Sequence, residues 1–250
     1  MSAEFPDAET LRGVLALATR APSVNDAQPW NWQVGPDRVD LYVDPGCSPP
    51  RDDPDRRDIL LSCGAALHHC AVALAAMGWR ARVRRLPDPV EPNHLAAVEV
   101  IPQSPGELDM TLAAAIARRR TDRRAYASWP VPWGDIALMG ARAARAGVML
   151  RQIDPELRQD NAVVIALGTE TDDDLARLRA GEATSLVLLS ATAMGLASCP
   201  MTEPLELPDI RAAVRADVFG TSGHPQMLVR LGRAADDARR VTGNTTTFPA

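Results

Sequence analysis

Lysine is absent from this chain: all 27 basic residues are arginine. That excludes a Schiff-base lysine, a lysine general base and the lysine of a P-loop. No GxGxxG follows a strand-like run, so a Rossmann dinucleotide site is not expected. No GxSxG elbow of the serine-hydrolase type appears. The four cysteines (Cys47, Cys63, Cys70, Cys199) show no CxxC spacing and imply neither zinc nor a disulfide framework. His68 and His69 are adjacent, pointing to different helix faces, and His94 and His224 stand alone, so no metal site is expected. The acidic run Thr169–Asp174 opens a helix, where carboxylates suit the positive end of the dipole.

Other absences bear on partners and compartment. The opening MSAEFPDAET is acidic and has no apolar h-region, so no secretory leader is expected and the cytoplasm is the expected compartment. The longest uncharged run, Ala183–Thr202, has the length of a membrane span. It contains several Ser and Thr, a Gly and a Pro, and lacks flanking aromatics, so a buried core helix is expected and no membrane partner. A formal net charge of −5 argues against nucleic acid.

What is present begins with Arg118–Tyr126, RRRTDRRAY, where five arginines fall within seven residues around Thr121 and Asp122. One reading is an exposed, arginine-rich helix end. The other is a phosphate clamp, since guanidinium forks bind phosphate bidentately and a Thr hydroxyl adds a hydrogen bond. The chain is long enough at 250 residues, with 46% hydrophobic content, for one large domain or two small intertwined ones.

In chain order, Asp7 to Arg20 reads as a helix with Asp7 as N-cap, and Ala21–Trp30 (APSVNDAQPW) as a loop. A short strand follows, then Val39, Leu41 and Val43 alternate as another. Pro45–Arg57 is a loop, and a long apolar helix runs from about Asp58 to Gly78. Trp79, Ala81 and Val83 alternate with arginines as a half-buried strand, and Leu95–Ile101 is a further one. A helix from about Leu108 enters the arginine cluster. Beyond it come helix Trp133–Ala146, strands Val148–Ile153 and Ala162–Gly168, and a second long helix, Asp173–Leu196. Helix Glu206–Arg215, strand Gln226–Leu231 and a polar tail complete the reading. Short strands and long helices without strict alternation predict an α+β fold. The five tryptophans (Trp30, Trp32, Trp79, Trp129, Trp133) read as core residues.

The two long helices align without gaps. Ser62–Trp79 matches Arg179–Leu196 at an offset of 117 residues, with Gly64 on Gly181 and Ala76-Met77-Gly78 on Ala193-Met194-Gly195. This predicts a duplication, with halves at 1–105 and 106–250 packed as an internal pseudo-dimer and a ligand site between them.

APSVNDAQPW, SCGAALHH, RRTDR, AMGLAS and HPQMLVRLG (His224–Gly232) together resemble the FMN-dependent nitroreductase family. They resemble most its Acg-type branch, in which two nitroreductase-like halves share one chain. The resemblance runs from about Leu11 to Gly232. It implies a helix-flanked, mainly antiparallel sheet with FMN held between the halves. Carried over by position, the phosphate clamp falls on Arg119, Thr121 and Arg123, and the ring contacts on Ser23, Asn25, Asp26 and Gln28. Gly195, Leu196 and Ala197 match the segment that closes the site. Parts for one complete site are present, because only the first half has an APS–QPW loop and only the second has an arginine motif.

Three departures accompany the resemblance. Asp26 stands where the family has Asn, and a carboxylate near a reducible flavin disfavours the anionic hydroquinone. Several dozen residues that Acg-type proteins carry between the matches to Ile153 and Asn161 are absent. The tail after Gly232 differs, with Arg239 and Arg240 as its candidates for a phosphate contact. No catalytic side chain is identified, as expected where the cofactor carries the chemistry. The resemblance implies an oxidoreductase passing electrons from NAD(P)H to nitro or quinone-like acceptors, working as a pseudo-dimeric monomer or a homodimer. The alternatives are a flavin-sequestering protein with little turnover and a scaffold that binds no flavin.

Overall fold

A computed structural model describes residues 5–47, 56–127, 130–153 and 162–234. The positions of Trp129, Arg239 and Arg240 lie outside the described residues.

The chain folds as two antiparallel sheets around a pair of central helices. The first sheet holds β1 (Trp30–Val34), β2 (Arg38–Val43), β3 (Trp79–Arg85) and β4 (His94–Pro102), in the order β1-β2-β4-β3. The second holds β5 (Met149–Gln152), β6 (Val163–Thr169), β7 (Ala197–Met201) and β8 (His224–Gly232), in the order β5-β6-β8-β7. The two orders are the same pattern. Each central pair also carries a register break, at Leu41/Tyr42 and at Leu167/Gly168. The expected α+β class and antiparallel pairing hold.

Helix α1 (Ala8–Ala18) starts where expected, with the Asp7 carboxylate accepting the Thr10 N–H at 2.7 Å. Helices α2 (Arg57–Ala76) and α5 (Asp174–Ala193) are buried on nearly every side, which explains why neither shows a polar stripe. Helix α2 is the one described helix long and apolar enough to cross a membrane, and most of it is buried inside this fold. Helix α3 (Glu107–Arg118) packs Leu112, Ala115 and Ile116 against Val72 of α2 and Leu189 of α5. Helix α4 (Trp133–Ala144) covers the second sheet with Ile136, Met139 and Ala143.

The sequence expectation differs from the structure after residue 193. The second long helix ends at Ala193, and Ala197–Met201 is a strand paired with β8. Gly195 turns the chain at φ 74°, where the left-handed conformation costs glycine little. The helix expected over Glu206–Arg215 is split into α6 (Glu203–Glu206) and α7 (Pro208–Val214). Pro208 has no N–H to continue a ladder, so the split falls there.

The central helices cross at glycine. A Cβ on Gly64 would lie 2.1 Å from the Leu178 carbonyl oxygen, and one on Gly181 would lie 2.1 Å from that of Leu61. The 117-residue offset found in the sequence converts one approach into the other, Gly64 mapping onto Gly181 and Leu61 onto Leu178. The side chains repeat the exchange: Leu61 joins the core of the second sheet and Leu178 that of the first. A residue paired with its own counterpart also occurs, His68 Nδ1 lying 2.7 Å from Ser185 Oγ.

An ion pair joins the first sheet to α5. Arg85, ending β3, donates from Nε and Nη2 to Glu182 of α5 at 2.6 and 2.7 Å. Glu182 is largely buried and Arg85 about a quarter exposed. Removing one partner of a buried pair costs about 3–5 kcal/mol. With solvent reaching Arg85, Arg85→Ala is expected to destabilise by about 2 kcal/mol, and Arg85→Ala with Glu182→Gln by less. Denaturant unfolding of the single and double variants checks this, and equal losses in both would reject a pairwise role.

Candidate functional site

A cavity of about 570 Å³ opens where α1, α2, α3 and the end of β7 meet. That is within the ordinary size of a small-molecule or cofactor site. Ser23, Asn25, Asp26, Gln28, Arg119, Thr121 and Arg123 all line it. The structure therefore brings together residues almost a hundred positions apart in the sequence.

One wall is the APSVNDAQPW loop. It makes a short 3₁₀ turn at Val24–Asp26, with Asn25, Asp26 and Gln28 at φ 51°, 55° and 47°. Non-glycine residues in the left-handed region are sparsely populated and cluster at ligand-binding loops, and Asn and Asp tolerate it best. Side chains over-determine this shape. Ser23 Oγ accepts the Gln28 N–H at 3.1 Å, and Ser62 Oγ accepts the Val24 N–H at 3.1 Å. Ser62 in turn donates to the Asp58 carbonyl at 2.7 Å, fixing the loop to the first turns of α2.

The opposite end is basic. Arg119 caps α3, and its Nη1 donates to Thr121 Oγ1 at 3.3 Å. Burial, then the charges of Arg120 and Arg20, push the Arg119 guanidinium below its usual proton affinity. Its Nε is buried without a hydrogen-bond partner. Arg20 and Arg120 reach the carbonyl end of α3, donating to Ala117 O at 3.3 and 2.9 Å. A helix C-terminus favours such cations. Arg123 lines the cavity from an exposed position, whereas Arg124 turns away and pairs with Asp122 at 2.8 Å.

The arginine segment is held by the second sheet. Thr121 bridges Ser198, and the Asp122 N–H donates to Ser198 O at 2.9 Å. Tyr126 donates to Asp122 O at 2.7 Å, and Arg230 lies over its ring at 4.9 Å. Helix α3 ends at Arg118, before this segment, and an extended stretch follows.

The segment after α5 enters the site differently from expectation. Gly195, Leu196 and Ala197 do not line the cavity; Leu196 turns into the second core and its N–H donates to Ala191 O at 2.8 Å. Pro200, Thr202 and Glu203 line it instead, because β7 carries the chain onward before it reaches the site. Sequence reasoning also missed Arg20, Arg120 and Ser62 as lining residues. Arg20 stands directly before APSVNDAQPW, and Arg120 lies inside RRRTDRR, so both had a local signal. Ser62 opens the SCGAALHH motif, but its contact with the loop depends on α2 approaching it.

Chemically, the site offers four guanidinium groups and a hydroxyl at one end, and a polar loop with exposed backbone at the other. This excess of donors fits a phosphate monoester; an apolar ligand would leave those charges uncompensated. Among the described residues, no cluster of His, Cys, Asp or Glu could hold a metal ion.

Comparison with known proteins is consistent with these features. The family profile described as Nitroreductase family matches residues 142–233. A Mycobacterium tuberculosis H37Rv protein named “Putative NAD(P)H nitroreductase Rv3131” is 48% identical, over 95% of this chain and 89% of its own length. Another from the same strain, with the same designation and the suffix acg, is 30% identical over 91% of this chain and 90% of its own. The aligned span with the first is 306 residues, longer than this whole chain, so that relative carries residues with no counterpart here. In fold, the chain is similar to a solved Anabaena variabilis protein described in the same qualified way, with a TM-score of 0.59 at 12% identity. The match covers 92% of this chain and 90% of that one.

Proposed function

The chain belongs to the nitroreductase family, and on that premise we propose that it is an FMN-dependent oxidoreductase. It takes electrons from NAD(P)H and passes them to nitro or quinone-like acceptors. The observation that carries this reading is the convergence of Arg20, Arg119, Arg120, Arg123 and Thr121 at one end of a cavity whose other wall is the Ser23–Gln28 loop. Arg119, Thr121 and Arg123 would hold the phosphate, with Arg20 as a further donor. Ser23, Asn25, Asp26 and Gln28 would face the ring. When bound, FMN supplies the electron relay between donor and acceptor. The protein's share is to bind the phosphate, hold the strained loop in shape and limit water at the ring.

The reciprocal contacts of α2 and α5 support reading 1–105 and 106–250 as two copies of one unit. They also bear on stoichiometry. Ala65 lines the cavity, and its counterpart at the 117-residue offset is Glu182, which is occupied by Arg85. An ion pair at the counterpart of a cavity-lining position supports one FMN per chain.

The purified chain is expected to be yellow and to release FMN on acid treatment, at about one per chain by titration of the apo-protein. NADPH is expected to bleach the visible band. Recovery of FAD, or no binding with excess FMN, would reject the reading. A bound flavin that NADPH does not reduce would instead favour flavin sequestration. Arg123→Ala is expected to weaken FMN binding by about 1.5–3 kcal/mol, the range for a hydrogen bond to a charged group. Arg82→Ala, on the exposed face of β3, serves as the control. Equal losses in the two would assign binding to general positive charge.

A further inference from the structure

Beneath the basic end of the cavity lies a polar cluster that the proposed function does not use. His69 is fully buried in α2, one turn beyond the cavity-lining Ala65. His69 Nδ1 lies 3.1 Å from Ala65 O and 2.8 Å from Ser185 Oγ. A carbonyl oxygen only accepts, so Nδ1 carries the proton, and Ser185 is left to donate to His68 Nδ1 at 2.7 Å. This fixes the tautomer of His69. Its Nε2 is then a lone-pair acceptor, and it is buried with no hydrogen-bond partner.

Buried acceptors without partners are uncommon and need a reason. A complementary atom stands at the end of the neighbouring helix α3. Arg119 Nε is an N–H donor, also buried and unpartnered. Helix α3, which Arg119 caps, packs on α2 through Ile116 and Ala115 against Val72. The Arg119 charge is felt at the His69 ring, where it adds to burial in lowering the proton affinity. A guanidinium has five N–H donors in a fixed fork, so an acceptor on Nε sets the direction of both Nη groups.

We propose that His69 is a positioning residue for Arg119: its Nε2 lone pair accepts, through one bridging water, from the Arg119 Nε–H, and so aims the Nη edge at the ligand's phosphate. No proton is transferred, and His69 stays neutral. A protonated ring would face a guanidinium with an N–H in place of the lone pair. Lysine could not replace Arg119 in this arrangement, because it lacks a second edge to tether.

The inference rests on the reading of the cavity as an FMN site, and the test separates the two. FMN and riboflavin share the ring and differ in the phosphate, so the ratio of their dissociation constants isolates the phosphate end. The wild-type apo-protein is expected to bind FMN far more tightly than riboflavin. In His69→Asn the short amide can still meet Ala65 and Ser185 but falls short of Arg119, and the ratio is expected to shrink about tenfold. In His69→Gln an amide oxygen reaches the Nε2 position, and the ratio is expected to stay within about threefold of wild type. A general loosening of the core would weaken both flavins and leave the ratio unmoved. An unchanged ratio in His69→Asn, or equal shrinkage in both variants, overturns the role of His69 and leaves the FMN reading standing. A wild-type ratio near one overturns the phosphate clamp, and this inference with it.

Discussion

Gly64→Ala is expected to destabilise the fold by more than about 3 kcal/mol, and Gly181→Ala to do the same. In each case the added methyl would sit 2.1 Å from a backbone carbonyl oxygen of the opposing helix. No rotamer can relieve that contact, because both partners are backbone. The helices must separate, and everything that crosses their interface moves with them. That includes Leu61, packed in the core of the second sheet, Leu178, packed in that of the first, and the His68–Ser185 contact. Gly134→Ala supplies the control. It lies within α4 with nothing near its Cβ position, and alanine is expected there to be neutral or stabilising by up to about 1 kcal/mol. Chemical unfolding of the three variants decides the matter. Gly64→Ala and Gly134→Ala unfolding at the same denaturant concentration would mean that the helices can part at no cost.

The same pair of glycines shows how far the sequence carries. Their alignment at an offset of 117 is visible in the letters alone, as are the alternation of β3 and the Asp7 cap. Periodicity and capping are local, so they can be read locally. The crossing of α2 and α5 is not local, and the sequence records it only indirectly, as two glycines in runs that otherwise favour larger residues.

Legibility of the site divides along similar lines. Arg119, Thr121 and Arg123 are concentrated in one short motif, and the structure places all three on the cavity with Ser23, Asn25, Asp26 and Gln28. The segment after α5 was harder to place. ASCPM has neither alternation nor β-branched residues, and it becomes a strand because β8 offers an edge to pair with. Pro200 is tolerated at such an edge, so its presence misleads toward a loop. The resemblance points to Gly195–Ala197, whereas the paired strand carries Pro200, Thr202 and Glu203 to the cavity. Arg57 and Asp58 show the converse. In the sequence they look like a charged helix start, yet both side chains are buried, with Arg57 reaching Leu205 O at 3.4 Å.

Acid is expected to unfold this protein over a window set by its buried histidines. Burial pushes His68 down to about 4, and burial together with the His68 and Arg119 charges pushes His69 down to about 3. In the unfolded chain both titrate near the ordinary value of 6.5. Below that value the unfolded state binds more protons than the folded one, so stability falls as pH falls. The slope is about 1.4 kcal/mol per pH unit for each ring, and it persists until the folded rings themselves protonate. Going from pH 6.5 to 4.5 is expected to remove on the order of 3–5 kcal/mol, the lower figure allowing for the partly covered His68. Carboxylates act elsewhere on the scale. Asp122 is held below the ordinary 3.8 by its hydrogen bond to Arg124, and Asp172, against its burial, by hydrogen bonds from Gln226, Arg177 and Arg211, so their loss begins only under about pH 4. Guanidinium unfolding at pH 6.5, 5.5 and 4.5, for wild type and for His68→Gln/His69→Gln, separates the two contributions. The double variant is expected to lose most of the slope above pH 4.5 while keeping the steep fall below pH 4. A slope unchanged by the double replacement would place the acid sensitivity outside the helix pair.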